Sequence, residues 1–180
     1  MGYFYYVRHG ETTWNVADKI CGMTDVELTE KGHRQAKELA EEIVKSGIHV
    51  DEILYSPLIR ARDTAMEISN VTGIPARAEK RLIEQCFGKW EGHEGRKDNA
   101  FTKDKTNFIN SFEGGESMFK LAQRIYNLLD DIKKEADDKV YLLVAHNGIS
   151  RVVESYFRDM TNEEYAAFGI KNCEIRKYEF

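Results

Sequence analysis

Cysteine is scarce in this chain. Three residues among 180, Cys21, Cys86 and Cys173, are an odd number at unrelated spacings, which argues against a disulfide frame and for free thiols in a reducing compartment. Proline is scarcer, at 2 residues, and 13 glycines are far too few for a low-complexity or collagen-like polymer. No apolar run approaches the roughly 18 residues of a membrane span. No basic segment leads into an apolar stretch with a cleavage site, so the expected location is the cytoplasm. A surplus of basic charge is also missing. The 26 Lys and Arg residues against 31 Asp and Glu give a net charge of −5, the wrong sign for a surface that binds nucleic acid through a basic face. If the ligand is an anion, positive charge has to be gathered locally. Clustered carboxylates and His/Cys pairs at metal-ligand spacing are absent as well, so no metal or other cofactor is expected.

What is present is ordinary globular material, 42% hydrophobic and 32% charged. A chain of this length is expected to form a single domain, residues 1–180, with a core of its own. Tyr3 to Val7 reads as a buried strand. Thr29 to Lys45 turns to helical period, with Ala36, Leu39, Ala40, Ile43 and Val44 on one face, Thr29 as cap and Gly47 as stop. Ile53-Leu54-Tyr55 reads as a strand. Ser56-Pro57 reads as a cap with proline at the first helical position, followed by a helix from Leu58 to Val71. Residues 88–115 are polar and weakly periodic, and read as an inserted lid. A long helix is expected from Glu116 to about Glu135, with Phe119, Ala122, Ile125, Tyr126 and Leu129 on its apolar face. Val140 to Ala145 is strand-like, Ile149 to Phe157 helical, and Cys173 to Phe180 alternates like an edge strand. Strands alternating with amphipathic helices predict a three-layer α/β/α sandwich with a mostly parallel central sheet.

The informative residues follow the strands. The first strand ends in Arg8-His9-Gly10, the second leads to Ser56-Pro57 with Arg60 behind, and the third ends in His146-Asn147-Gly148. Ligands of open α/β sheets bind beyond the carboxyl ends of the strands. That edge would gather two arginines, two histidines and helix N-termini, a constellation suited to a phosphate dianion. Any one of these residues could be an ordinary solvated loop residue. Three coincident strand ends are harder to dismiss.

Arg8-His9-Gly10-Glu11-Thr12, with Trp14-Asn15, resembles the signature of the histidine phosphatase superfamily in its phosphoglycerate-mutase-like branch. Gly22-Met23-Thr24-Asp25, Ser56-Pro57-Leu58-Ile59-Arg60-Ala61, Leu82-Ile83-Glu84, Phe87-Gly88-Lys89-Trp90-Glu91-Gly92, Gly115-Glu116-Ser117 and Val144-Ala145-His146-Asn147-Gly148 resemble its further blocks, in order. The resemblance implies a phosphoglycerate-mutase-like fold and a metal-independent phosphomonoesterase. His9 would be the nucleophile and carry a phosphohistidine. Arg8, Arg60 and His146 would bind the phosphoryl oxygens, with His146 protonated beside the dianion. Glu84 would be the general acid and base, with a raised pKa. Asn15, Cys21, Gly22 and Asn147 are the expected substrate-binding residues, and the partner a small phosphorylated metabolite.

The family offers a rival reading, a bisphosphoglycerate-dependent phosphoglycerate mutase that shares every core residue. The chain stops at Phe180, directly after the last strand, which leaves little to close a pocket and favours the phosphatase. A non-catalytic phosphate-binding module is the remote alternative, and the presence of His9, Glu84 and both arginines speaks against it. The insertion stretch resembles α-ribazole and broad-specificity phosphatases alike, so the substrate stays open. His33, His49 and His93 are expected at the surface and Arg62 in a structural role. Arg96, Lys97, Lys103 and Lys105 are read by default as a solvated charged face of the lid, with the steering of a second acidic substrate group as the other possibility.

Overall fold

The computed structural model describes residues 2–95 and 99–180. Five strands form one sheet: β1 (Tyr3–Arg8), β2 (Glu52–Tyr55), β3 (Ala76–Ala78), β4 (Tyr141–Ala145) and β5 (Ile175–Glu179), in the order β3-β2-β4-β1-β5. All pairings are parallel except β1 with β5. The helices are α1 (Thr13–Val16), α2 (Glu30–Ser46), α3 (Ile59–Thr72), α4 (Asn99–Lys105), α5 (Met118–Glu135), α6 (Asn147–Phe157) and α7 (Asn162–Ala167).

Strand β4 is buried along its whole length because helices cover both faces of the sheet. Its side chains alternate between two cores. Tyr141, Leu143 and Ala145 meet Leu121, Ile125 and Leu129 of α5 and Ile149 and Val152 of α6. Leu142 and Val144 meet Leu39 and Ile43 of α2 and Ala65 and Ile68 of α3. These are the three layers the sequence period predicts.

Helix boundaries follow their caps. The Thr29 hydroxyl accepts from the Gly32 amide at 3.0 Å, and Gly47 ends α2 in the left-handed region at φ 67°. Two apolar assignments are corrected. Val44 is 59% exposed and Phe119 58% exposed. The α5 stripe runs through Leu121, Ile125, Leu128, Leu129 and Ile132, which turns Phe119 to solvent. Ser56-Pro57 does not cap α3 either. That helix begins at Ile59 without a side-chain cap, and the Ile59 amide donates to Asp25 Oδ1 at 2.7 Å. Three elements go beyond the sequence reading, the short helix α1 with β3 and α7. Strand β3 has only three residues, too few to show a period. Helix α7 announces itself by a capping box, Thr161 with Glu164.

The segment between Leu82 and Ser117, which includes the stretch expected to be a lid (88–115), contributes to a third, small core. Phe87, Phe101 and Phe112 enclose Ile20, Trp90 packs against them, and the Trp90 indole donates to Asp104 at 2.8 Å. Backbone bonds strap the segment to the loop after α1, Ile20 N to His93 O and Gly92 N to Ile20 O, both 2.8 Å.

Candidate active site

The sheet order puts β4 between β2 and β1, so the three strand ends that carry chemistry are neighbours. The His9 amide continues the ladder to Ala145 O at 2.9 Å, and the Ser56 amide reaches Val144 O at 3.0 Å. The His9 and His146 rings therefore sit 5.2 Å apart.

His9 is buried, and its Nδ1 lies 2.7 Å from the Gly10 carbonyl oxygen. A carbonyl only accepts, so Nδ1 carries the proton and Nε2 keeps its lone pair. Burial first, then the charges of Arg60 and Arg8, hold this imidazole well below its usual pKa. The result is a neutral ring with a fixed tautomer. The main chain around it is fixed too. Gly10 N donates to Thr64 Oγ1 at 3.0 Å, and Asn172 Nδ2 donates to His9 O at 2.8 Å.

Arg60 is 1% exposed, yet no carboxylate pairs with it among the described residues. Its guanidinium donates to Thr24 O at 2.9 Å and to Gly22 O at 2.6 Å. Carbonyls orient the fork without cancelling its charge. The loop they belong to is organised by Glu91, whose carboxylate accepts from the amides of Gly22, Met23, Thr24 and Phe87 at 2.9–3.2 Å and from Thr24 Oγ1 at 2.6 Å. A Cβ at Gly22 would lie 2.2 Å from the Gln85 carbonyl oxygen, so only glycine fits there. Gly22, expected to bind substrate, instead has both backbone groups committed to Glu91 and Arg60 and is not among the residues lining the cavity. Arg8 Nη1 donates to Ile170 O at 2.7 Å.

His146 is fully buried. Its Nε2 meets Ser56 Oγ at 2.7 Å, and Nδ1 has no partner among the described residues. The Tyr6 hydroxyl pins its backbone, donating to His146 O at 2.5 Å and accepting from His146 N at 3.1 Å. Burial, followed by Arg60 and His9, holds the ring well below its usual pKa. That direction describes the empty site, whereas the expected protonated state is the one with a dianion beside the ring. A bound dianion would offset the neighbouring arginine and favour the protonated form.

Glu84 is 3% exposed, and burial raises its pKa. Oε2 accepts from Gly148 N at 2.8 Å and Oε1 from Gln85 N at 2.9 Å. A Cβ at Gly148 would stand 2.3 Å from Oε1, so glycine at the start of α6 lets the carboxyl approach. Arg124, paired with Glu116 at 2.8 Å, reaches the carbonyls of Arg81 and Glu84 and fixes the segment from behind.

These groups border a cavity of about 290 Å3 lined by Arg8, His9, Asn15, Cys21, Glu84 and Asn147, and by Phe87, Phe101, Lys105 and Arg151 from beyond the phosphoryl end. Arg60 and His146, deeply buried beside His9, are not part of that lining. Asn15 Oδ1 accepts from Thr12 N at 3.1 Å, and Asn147 Oδ1 accepts from Ile170 N at 3.0 Å. Cys21 donates to Thr24 O, and burial pushes its thiol up to about 11, so it lines the site as an unreactive thiol. His33, His49 and His93 are exposed, and Arg62 pairs with Asp63 at 2.9 Å. Lys103 is exposed, while Arg96 and Lys97 lie outside the described residues. Lys105 departs from the default reading. It is half-buried and faces the cavity. The sequence reading passed over Ser56 as a partner of His146, and Thr64, Glu91, Arg151 and Asn172. Glu91 stood in a quoted block, and Arg151 follows Asn147 at the i+4 spacing that shares a helix face. Nothing local marks Asn172.

A mostly parallel sheet whose strand ends bring two histidines and two arginines together beside a buried carboxyl defines a phosphate-handling α/β enzyme. Residues 4–180 match the histidine phosphatase superfamily (branch 1), and the chain belongs to it. Its class of activity is phosphoric monoester hydrolysis. A phosphoserine phosphatase of Hydrogenobacter thermophilus is 29% identical over 93% of this chain and 81% of its own. A probable phosphoglycerate mutase of Yersinia pestis is 30% identical over 98% and 84%. The solved structure of a phosphoserine phosphatase mutant from Entamoeba histolytica, in complex with phosphoserine, superposes with a TM-score of 0.83 at 30% identity over 100% of this chain and 91% of that one.

Proposed function

We propose that this chain is a metal-independent phosphatase for a small phosphorylated metabolite, working through a phosphohistidine on His9 as a single cytoplasmic domain whose insertion serves as a lid. The observation that carries the reading is the fixed tautomer of His9, a neutral buried imidazole with Nε2 free beside two arginines.

The phosphoryl group enters between His9 and His146, its oxygens held by Arg8, Arg60 and His146, with Asn15 as a neutral donor. Nε2 attacks phosphorus and the bond to the ester oxygen breaks. The departing alkoxide takes a proton from Glu84, whose pKa burial raises. The resulting carboxylate then takes a proton from water as the water oxygen attacks phosphorus. The P–N bond breaks, phosphate leaves, and both His9 and Glu84 return to their starting states. Fixed cations in a water-poor pocket supply the charge stabilisation.

The likeness to a probable phosphoglycerate mutase supports a second reading, in which the alcohol is held and rephosphorylated at another oxygen. One experiment separates the two: p-nitrophenyl phosphate hydrolysis in excess EDTA by wild type and His9→Ala, run beside interconversion of 3- and 2-phosphoglycerate. Phosphate release that survives EDTA and vanishes in the variant is the expected result. Interconversion much faster than release would make the mutase the correct reading.

A further inference from the structure

Besides Lys19, which follows Asp18 in the lining, two cations of the cavity have no role in the phosphoryl chemistry. Lys105 ends α4 in the insertion, and Arg151 stands on α6, one turn beyond Asn147 and Gly148. Both line the same cavity as His9 and Glu84. Both hang from the carbonyls at the end of α7, Arg151 Nε donating to Phe168 O at 2.8 Å and Lys105 Nζ to Ala166 O at 3.4 Å. The Lys105 ammonium also sits 5.0 Å over the Phe101 ring. No carboxylate pairs with either residue among the described residues. Carbonyls and an aromatic face position a charge but do not neutralise it, so two like charges are held side by side in a half-buried site.

The position of the pair gives it a direction. Arg151 lies one helix turn from the Gly148 amide that binds Glu84. Glu84 is the group that meets the leaving oxygen. The pair therefore faces the alcohol portion of the substrate, at the far end from His9. Burial and Arg151 push the Lys105 ammonium down to about 8, a cation that a bound anion would recharge.

We propose that Lys105 and Arg151 form an anion subsite at the leaving-group end of the cavity, so that the preferred substrate is a phosphomonoester whose alcohol bears a second negative group, a carboxylate or a second phosphate. The proposal rests on the phosphatase reading and refines it. Each cation supplies charge-assisted hydrogen bonds that a neutral tail cannot use, and an ammonium tail would be repelled.

The test compares kcat/KM of wild type for four small monoesters: phosphoglycolate, ethylene glycol bisphosphate, 2-hydroxyethyl phosphate and phosphoethanolamine. The expected order places one or both anionic tails about 10- to 100-fold above the neutral one, the worth of a charge-assisted contact, and phosphoethanolamine last. Whichever anionic probe leads identifies the group as carboxylate or phosphate. Lys105→Gln and Arg151→Gln are each expected to shrink the anionic-to-neutral ratio by about 10-fold, mainly through KM. Lys105→Glu should invert it. If Arg151→Gln fails to fold, as judged by its melting curve, the two Lys105 variants decide alone. A wild type that hydrolyses 2-hydroxyethyl phosphate but shows no advantage for anionic tails overturns the subsite, and so does a preference that persists in Lys105→Glu. A wild type that hydrolyses none of the four, nor p-nitrophenyl phosphate, overturns the phosphatase reading instead.

Discussion

The two ends of the cavity are built by different means. At the phosphoryl end most groups are fixed by backbone. The His9 amide is tied into the sheet ladder, Arg60 is gripped by two carbonyls and Glu84 by two amides, while His146 is held by the hydroxyls of Tyr6 and Ser56. At the insertion end the contacts are made by long side chains, Lys105 over Phe101 and Arg151 on a loop carbonyl, around a small aromatic core separate from the two that sandwich the sheet. Fixed dipoles suit a reaction whose charge develops at one place, whereas long cationic side chains, Lys105 from α4 and Arg151 from α6, suit a recognition task that differs between substrates. Substitutions at the first end should change how fast any ester is cleaved, and substitutions at the second which ester is preferred.

The largest effect that sharpens this contrast is loss of the nucleophile. His9→Ala should lower kcat on every substrate by on the order of 10^4-fold or more, with equal factors for p-nitrophenyl and alkyl esters. Unequal factors would mean that the two ends are not separable. Glu84→Gln should cost about 10^2- to 10^4-fold on alkyl phosphates and markedly less on p-nitrophenyl phosphate, whose leaving group needs little protonation. Equal losses on both would remove Glu84 from the proton transfer.

Glu91→Ala tests whether the phosphoryl end depends on its supporting loop. Five donors lose their acceptor, and the protein should lose about 1–3 kcal/mol in urea unfolding, while KM for every substrate rises because Arg60 loses its orientation. An unchanged KM would show that Arg60 is held without the loop.

The smallest effect is in the pH dependence of stability. Both site histidines have pKa values below their unfolded ones. Stability that is full above the usual imidazole value of about 6.5 is therefore lost as pH falls below it, because the unfolded chain takes up protons that the folded one refuses. The melting temperature of the ligand-free protein should fall from about pH 7 to about pH 5.5, and the slope should flatten in His146→Gln. Saturating phosphate should flatten it too, since the bound dianion stabilises the protonated ring.

Most of the first end was legible in the sequence, and little of the second. Strand ends, glycines and histidines lie in short contiguous blocks, and a parallel sheet converts adjacency to a strand end into adjacency in space. Positions set by long-range packing left no such trace. Asn172, which holds the His9 carbonyl from 163 residues away, has no local signature. Lys105 has the same flanking sequence as a solvated lysine and differs only because α7 and Phe101 come to meet it. Ser56 carried a misleading signal, since Ser-Pro before a helix is a good cap, but His146 claims its hydroxyl. Phe119 and Val44 show that helical period alone does not say where an apolar stripe ends.

Arg60 meets carbonyl dipoles rather than a carboxylate, and this has a kinetic consequence. A site that carries uncompensated positive charge when empty attracts inorganic phosphate by the same forces that attract the ester's phosphoryl group. The enzyme should therefore be competitively inhibited by its own product, be more sensitive to this at low ionic strength, and show its full rate only where phosphate is kept scarce or the substrate's other end adds binding that free phosphate cannot match.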